Sequence, residues 1–98
     1  MYSGIYIFKP QNGSIKINDT IFNDLYLIFK TNNLQMLSSI SKEANNLPVW
    51  YDTISIKISN ETQIELELWD YKVQNYEFIG HQTLKLSELA KTPSNQTN

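Results

Sequence analysis

Three short segments in which apolar and polar residues alternate constrain the fold of this sequence most strongly. They are Ile54–Ile58, Ile64–Trp69 and Thr83–Ser87. A repeat of two over four to eight residues is typical of a β-strand with one face buried and the other in water. Two further segments, Gly4–Phe8 and Leu25–Lys30, are apolar on both faces and rich in β-branched and aromatic residues. We expect these two to be more deeply covered strands.

Turn-forming residues separate the strand segments, and no long helical pattern lies between them. Clusters of Asn, Asp, Ser, Thr and Gly occupy stretches such as Gln11–Ser14, Asn18–Thr20 and Ser59–Thr62. These residue types favour tight turns because they tolerate unusual backbone angles or bond to their own backbone. Strands that follow one another at such short intervals predict an all-β, antiparallel β-sandwich.

The segment that begins at Leu34 fits two different structures. Leu34, Leu37 and Ile40 are spaced as on one face of a helix, which favours a short helix. The alternative is a strand over Gln35–Ser41 followed by a loop. Periodicity leaves both alternatives open.

Chain length and composition exclude several classes of protein. A chain of 98 residues predicts one domain with one modest core, and we expect residues 1–89 to form it and residues 90–98 to be a polar tail. The chain has no cysteine and a single histidine, His81. Disulfides, thiolate metal sites, cysteine nucleophiles and multi-histidine zinc sites are therefore excluded. We expect neither an enzyme nor a cofactor.

The charge balance argues against nucleic acid as a partner. Eight lysines and no arginine stand against ten acidic residues, so the net charge is −2. A nucleic-acid binder needs a basic face, and strong electrostatic docking to anionic membranes is disfavoured too. The sequence shows neither a signal-peptide pattern nor an apolar stretch of about 20 residues. We expect an intracellular protein, and composition does not distinguish cytoplasm, mitochondrion and cilium.

Three signatures follow one another in a characteristic order. In Asn23–Phe29 an acid at the end of a loop leads into a strand. Asn46–Ile56 contains Leu-Pro-Val-Trp, and Leu66–Lys72 ends in Trp-Asp-Tyr-Lys. Glu77–Gly80 and Leu84–Leu89 then give Glu-Phe-Ile-Gly and Leu-Lys-Leu-Ser-Glu-Leu. In this order the signatures resemble the C2 domain, the calcium- and phospholipid-binding module of protein kinase C and synaptotagmin.

The resemblance implies an eight-stranded Greek-key sandwich with acidic loops gathered at one end. It favours a strand for the ambiguous segment and mainly structural roles for Trp50 and Trp69. The family continues beyond the position of Leu89 with a final strand, so we expect one strand to be lacking or replaced. A sheet edge would then be open to a partner chain, or be covered by the first strand or the tail.

The family's calcium ligands are five acids from two loops, and the resemblance places these positions at Asn18, Asp24, Asp70, Lys72 and Glu77. Only Asp24 and Asp70 match the family's acids directly. Calcium takes six to eight oxygen ligands, whereas the ammonium of Lys72 would repel it. We therefore expect no metal and expect Lys72 to pair with Asp24 and Asp70. The alternative is that Lys72 points into water.

Taken together, these features predict a calcium-independent, non-catalytic C2-like domain. We expect it to act as a protein-interaction or structural accessory subunit of a larger assembly, with other protein chains as partners. The alternative is a peripheral membrane module that makes weak phospholipid contact through its loop tips. The candidate tips are Ile21, Phe22, Val73 and Tyr76.

Overall fold

The computed structural model describes residues 4–72 and 75–90, and of Ala90 only the backbone. The strands are β1 (Gly4–Phe8), β2 (Leu25–Lys30), β3 (Gln35–Leu37), β4 (Ile54–Ile58), β5 (Gln63–Tyr71) and β6 (Tyr76–Lys85), and the helix is α1 (Leu86–Ala90). All strand pairs are antiparallel. The predicted all-β antiparallel sandwich is confirmed. Within these ranges, no helix is long and apolar enough to cross a membrane.

The strands form two sheets of unequal width. One sheet has the order β1–β4 and the other β3–β2–β5–β6. The inward side chains of both sheets meet in one core, which contains Phe22, Leu25, Leu27, Phe29, Trp50, Ile54, Ile56, Ile58, Ile64 and Leu86. In β4 the isoleucines are buried and the residues between them exposed, as the alternation predicts.

The two strands that are apolar on both faces differ in burial. In β2, five of the six residues are buried, which confirms the expectation of deep cover. In β1 the same expectation is wrong, because Ile5 and Ile7 are 69% and 60% exposed. Tyr6 and Phe8 pack against the core, whereas the other face of this narrow sheet has no covering layer among the described residues.

The ambiguous segment is extended, so the short helix is wrong. The predicted strand over Gln35–Ser41 is confirmed only in part, since β3 ends at Leu37 and Ser41 makes an isolated bridge to Leu25. Gln35–Leu37 pairs with the second half of β2. The extended chain then follows β2 further, because the N–H of Ser38 donates to the carbonyl of Leu27 at 2.9 Å. The N–H of Leu27 in turn donates to the Ser38 hydroxyl at 2.8 Å. Ser41 and Leu25 exchange a further pair of backbone bonds.

The predicted strand over Thr83–Ser87 ends two residues early. Strand β6 stops at Lys85, and Leu86 begins helix α1. Leu86 is fully buried, as the alternation requires, but Leu89 also packs against the core, at helical spacing. Residues 91–98, which include most of the predicted tail, lie outside the described ranges.

Candidate functional site

Strands β2 and β5 bring two carboxylates together at one end of the sandwich. Asp24 directly precedes β2, and Asp70 lies opposite Leu25 in the register between β2 and β5. The N–H of Asp24 donates to Oδ1 of Asp70 at 3.1 Å, and the N–H of Tyr71 donates to the carbonyl of Asp24 at 2.7 Å. An open cleft of about 390 Å³ lies here, lined by Ile21, Asn23, Asp24, Asp70, Tyr71 and Lys72.

Both carboxylates accept backbone hydrogen bonds that hold loops in place. Asp70 is only 4% exposed, and it accepts the N–H of Asp24 as described. Oδ1 of Asp24 accepts the N–H of Glu43 at 3.2 Å. Hydrogen bonds to ionised acceptors are stronger than neutral ones. The two acids therefore fasten the start of β2 to β5 and to the segment after β3.

The ammonium of Lys72 is paired with Glu77 across the turn between β5 and β6. Its Nζ lies 2.7 Å from Oε1 of Glu77. The predicted pairing with Asp24 and Asp70 is wrong, because among the described residues the ion pair of Lys72 is with Glu77. Lys72 and Asn75 exchange two backbone hydrogen bonds, at 2.9 and 3.2 Å, and these bring the ends of the two strands close. The pKa of Lys72 is raised, first by the hydrogen bond and charge of Glu77 and then by the charge of Asp70.

Glu77→Gln is expected to lower the pKa of Lys72 toward its ordinary value of 10.5. Because the folded state raises this pKa, the interaction stabilises the protein at pH values below 10.5 and is lost as pH rises through the folded-state pKa. An NMR titration of the ε-methylene group of Lys72 would measure the change. The control Glu61→Gln alters an acid in a different loop and should leave the pKa of Lys72 unchanged. An unchanged pKa in Glu77→Gln would contradict the assignment.

Asn18 stands apart from the cleft. It adopts a left-handed conformation with φ of 52°, inside a turn closed by the bond from the N–H of Thr20 to the carbonyl of Ile17 at 3.1 Å. Asparagine tolerates this conformation better than most residues. Asn18 is not among the residues that line the cleft.

The predicted loop tips fall into three groups. Ile21 is 56% exposed and Tyr76 is 60% exposed, so both face outward. Phe22 is 4% exposed and belongs to the core, so its assignment as a tip is wrong. The side-chain oxygen of Asn46 accepts the N–H of Phe22 at 2.6 Å, and the ring is turned inward. Val73 lies outside the described residues.

Sequence reasoning missed an aromatic patch on the outer face of the four-stranded sheet. Trp69 and Phe78 contact edge to face with ring centroids 5.3 Å apart, and Tyr71 contacts Tyr76 at 5.3 Å. A register shift pairs Trp69 with Phe78 and leaves Ile79 without a direct partner. This bulge turns Phe78 outward while Ile79 packs against the core. In the sequence, the adjacent apolar residues Phe78 and Ile79 indicate that the alternation of inward and outward residues breaks just before Gly80.

An apolar groove of about 320 Å³ lies over the inner face of β5 and β6. It is lined by Gly13, Ser14, Ile15, Leu27, Pro48, Trp50, Leu66, Leu68, Gly80, His81 and Gln82. Among the described residues, the opposing sheet has two strands and this sheet has four. It therefore leaves this part of the wider sheet partly uncovered.

The cleft offers few ligands for a metal ion. Its lining contains two carboxylates and the side chain of one lysine. Over residues 4–72 and 75–90, no three side chains of His, Asp or Glu are placed to hold a metal together. In this lining Asp24 and Asp70 are the carboxylates that could hold a metal, and Asn23 adds an amide oxygen.

Comparisons with known proteins agree with this architecture. The family model of the C2 domain matches residues 9–98. One similar solved structure is a C2 domain-containing protein attributed to an elicitor-responsive gene, with TM-score 0.71 and 17% identity over 89% of this chain and 67% of that one. Another is a C2 domain of plant Extended Synaptotagmin 1, with TM-score 0.72 and 19% identity over 87% of this chain and 70% of that one. No curated protein sequence matches. The chain belongs to the C2 domain family.

Proposed function

We propose that this C2 domain is calcium-independent and non-catalytic, and that it serves as a protein-interaction or structural accessory subunit of a larger assembly. One observation carries the calcium-independent part of the proposal. The cleft between Asp24 and Asp70 is also lined by Lys72, whose ammonium is held in place by Glu77.

The proposal rests on the small number of carboxylate ligands in the cleft. Asp24 and Asp70 line it beside a lysine that is paired with Glu77, whereas calcium sites gather several carboxylates among six to eight oxygen ligands. The backbone N–H groups of Asp24 and Glu43 already bond to the two carboxylates. These two hydrogen bonds fix the loops that carry the carboxylates.

Two uncovered apolar surfaces support a role in protein interaction. The first is the groove over β5 and β6, whose apolar lining includes Leu66, Leu68 and Trp50. The second is the outer face of β1, where Ile5 and Ile7 are exposed. Exposed apolar patches rimmed by polar residues commonly mark interaction sites. C2 domains generally mediate binding to proteins or membranes rather than catalysis.

Thermal unfolding with calcium and with a chelator tests calcium independence. A ligand that binds only the folded state raises Tm, and at 100 times its dissociation constant it adds about 2.7 kcal/mol. We expect the same Tm in about 1 mM calcium as in chelator, with magnesium as the control for ionic strength. A rise of several degrees that is specific to calcium would overturn the proposal.

The second candidate is a peripheral membrane module, which the exposure of Ile21 favours. This side chain is 56% exposed and lines the cleft beside Lys72, so an apolar tip and a cation stand together. Sedimentation with anionic vesicles tests this candidate. Vesicle binding that is lost in Ile21→Asp but kept in Leu37→Asp, a variant of a strand residue that is 55% exposed, would favour the membrane. No binding by the unaltered protein would favour the first candidate.

A further inference from the structure

The outer edges of the two sheets differ in how they resist pairing with another chain. In the part of the chain that the structure describes, β3 is an edge of only three residues, and β6 is interrupted by the bulge and carries Glu77 and Lys85. Strand β4 carries Lys57. Short length, bulges and charges are the usual protections of an edge strand. Strand β1 has five residues, no charge, no proline and an unbroken register.

Strand β1 also presents apolar side chains beside this edge. Among the described residues, β1 pairs with β4 along one of its two edges, and no described strand pairs with the other edge. Ile5 and Ile7 stand on the outer face, 69% and 60% exposed, while Tyr6 and Phe8 face the core. An uncharged apolar edge strand of this kind favours association.

We propose that β1 pairs antiparallel with β1 of a second copy of this chain, about a two-fold axis at Tyr6. The strand sequence Gly-Ile-Tyr-Ile-Phe places isoleucine on both sides of Tyr6. The axis therefore sets Ile5 of each copy opposite Ile7 of the other. The same patch serves both copies, as a two-fold interface requires. The two narrow sheets become one sheet of four strands, in the order β4–β1–β1–β4.

The same register sets Gly4 opposite Phe8 of the second copy. Gly4 has a φ of +129°, and an added Cβ there would meet nothing within 4 Å, so the space beside it is open. An aromatic residue opposite an edge glycine covers the gap that the glycine leaves. In the proposed pair the open space at Gly4 therefore lies beside Phe8 of the second copy, whose ring also packs on Phe29 with centroids 5.2 Å apart.

Charge does not oppose the pairing. Strand β1 is uncharged, so no like charges face each other across the new strand pair. The nearest cation on the sheet is Lys57 on β4, opposite Ile5. Two such lysines would lie three strand spacings apart, about 14 Å, which exceeds the Debye length of about 8 Å at physiological salt.

The size of the contact sets the expected strength. One short strand from each copy buries far less than the 1,200–2,000 Å² or so of stable specific interfaces. We therefore expect a weak dimer, with a dissociation constant of roughly 10⁻⁴ to 10⁻³ M. The inference deepens the proposed protein-interaction function by naming one partner, and it does not depend on calcium.

Sedimentation equilibrium from about 10 µM to about 1 mM tests the dimer. The unaltered protein is expected to shift from the mass of one chain toward that of two. A double variant Ile5→Lys with Ile7→Lys, and a second double variant Ile5→Glu with Ile7→Glu, should each stay monomeric because like charges face each other across the axis. An equimolar mixture of the two should dimerise again. Both substitutions alter exposed side chains, and circular dichroism confirms folding.

The control Leu37→Lys changes an equally apolar, 55% exposed residue on β3 and should leave the dimer intact. An unaltered protein that is monomeric over the whole range would overturn the inference, as would double variants that dimerise like the unaltered protein. Monomeric variants whose mixture fails to dimerise would overturn the register. These outcomes leave the thermal test of calcium independence unaffected, so failures of the two proposals are distinguishable.

Discussion

Trp50→Ala is expected to lower the free energy of unfolding by about 3–5 kcal/mol, the cost typical of removing a buried aromatic ring. Trp50 is 6% exposed and lies in the core. Its indole N–H donates to the carbonyl of Leu25 at 3.3 Å, and its backbone N–H bonds to the carbonyl of Gln11. Small domains have only about 5–15 kcal/mol of stability, so this change would remove much of it.

The matched variant is Trp69→Ala. Trp69 is half-buried on the outer face of the sheet, packed edge to face on Phe78, with its indole N–H donating to Glu67 at 2.9 Å. Removing this side chain leaves a shallow surface depression rather than a buried cavity, so we expect the free energy of unfolding to fall by about 1–2 kcal/mol. Urea denaturation, followed by the fluorescence of the remaining tryptophan, measures both. A greater loss for Trp69→Ala than for Trp50→Ala would contradict the assignment of the core.

The second large effect is a gain of calcium binding in Lys72→Asp. The substitution places a carboxylate at a position that lines the cleft with Asp24 and Asp70. It also frees Glu77 from its ion pair. We expect a dissociation constant of roughly 10⁻⁴ to 10⁻³ M, the weak end of protein calcium sites. Without calcium the clustered carboxylates repel one another, so this variant should be less stable in chelator and regain stability in calcium.

Lys72→Met separates the two roles of the lysine. It removes the positive charge but adds no oxygen ligand, so we expect no calcium binding by calorimetry. If Lys72→Met bound calcium as tightly as Lys72→Asp, the number of oxygen ligands would not be what prevents calcium binding in the unaltered protein. If a folded Lys72→Asp variant failed to bind, the cleft would lack the geometry of a calcium site.

Local pattern predicts which face of a strand is buried better than it predicts where a strand ends or what covers it. The alternation in β4 is reproduced residue by residue. At Leu86 the pattern correctly predicts burial, yet the chain is already helical there. A single inward apolar residue fits a strand and a helix equally well, so the pattern does not show where the strand ends. Exposure of Ile5 depends on how many layers cover β1, which is a property of the whole fold.

Motif position predicted part of the candidate site but not its contacts. Of the five positions that the resemblance indicates, Asp24, Asp70 and Lys72 line the cleft, whereas Asn18 and Glu77 are not among its lining residues. The resemblance does not indicate the partner of Lys72, which the close turn between β5 and β6 selects as Glu77. Phe22 likewise is buried in a core built from distant segments, and its N–H donates to Asn46, 24 residues away; no local pattern contains either contact.

A calorimetric titration of the unaltered protein with calcium tests the central claim most directly. Because Lys72 lines the cleft of Asp24 and Asp70, no saturable heat of binding is expected up to about 1 mM calcium, above the range of calcium sensors. Lys72→Asp is titrated in the same buffer to about 10 mM calcium, so that its weaker expected site would approach saturation. Saturable binding to the unaltered protein with micromolar affinity would contradict the account.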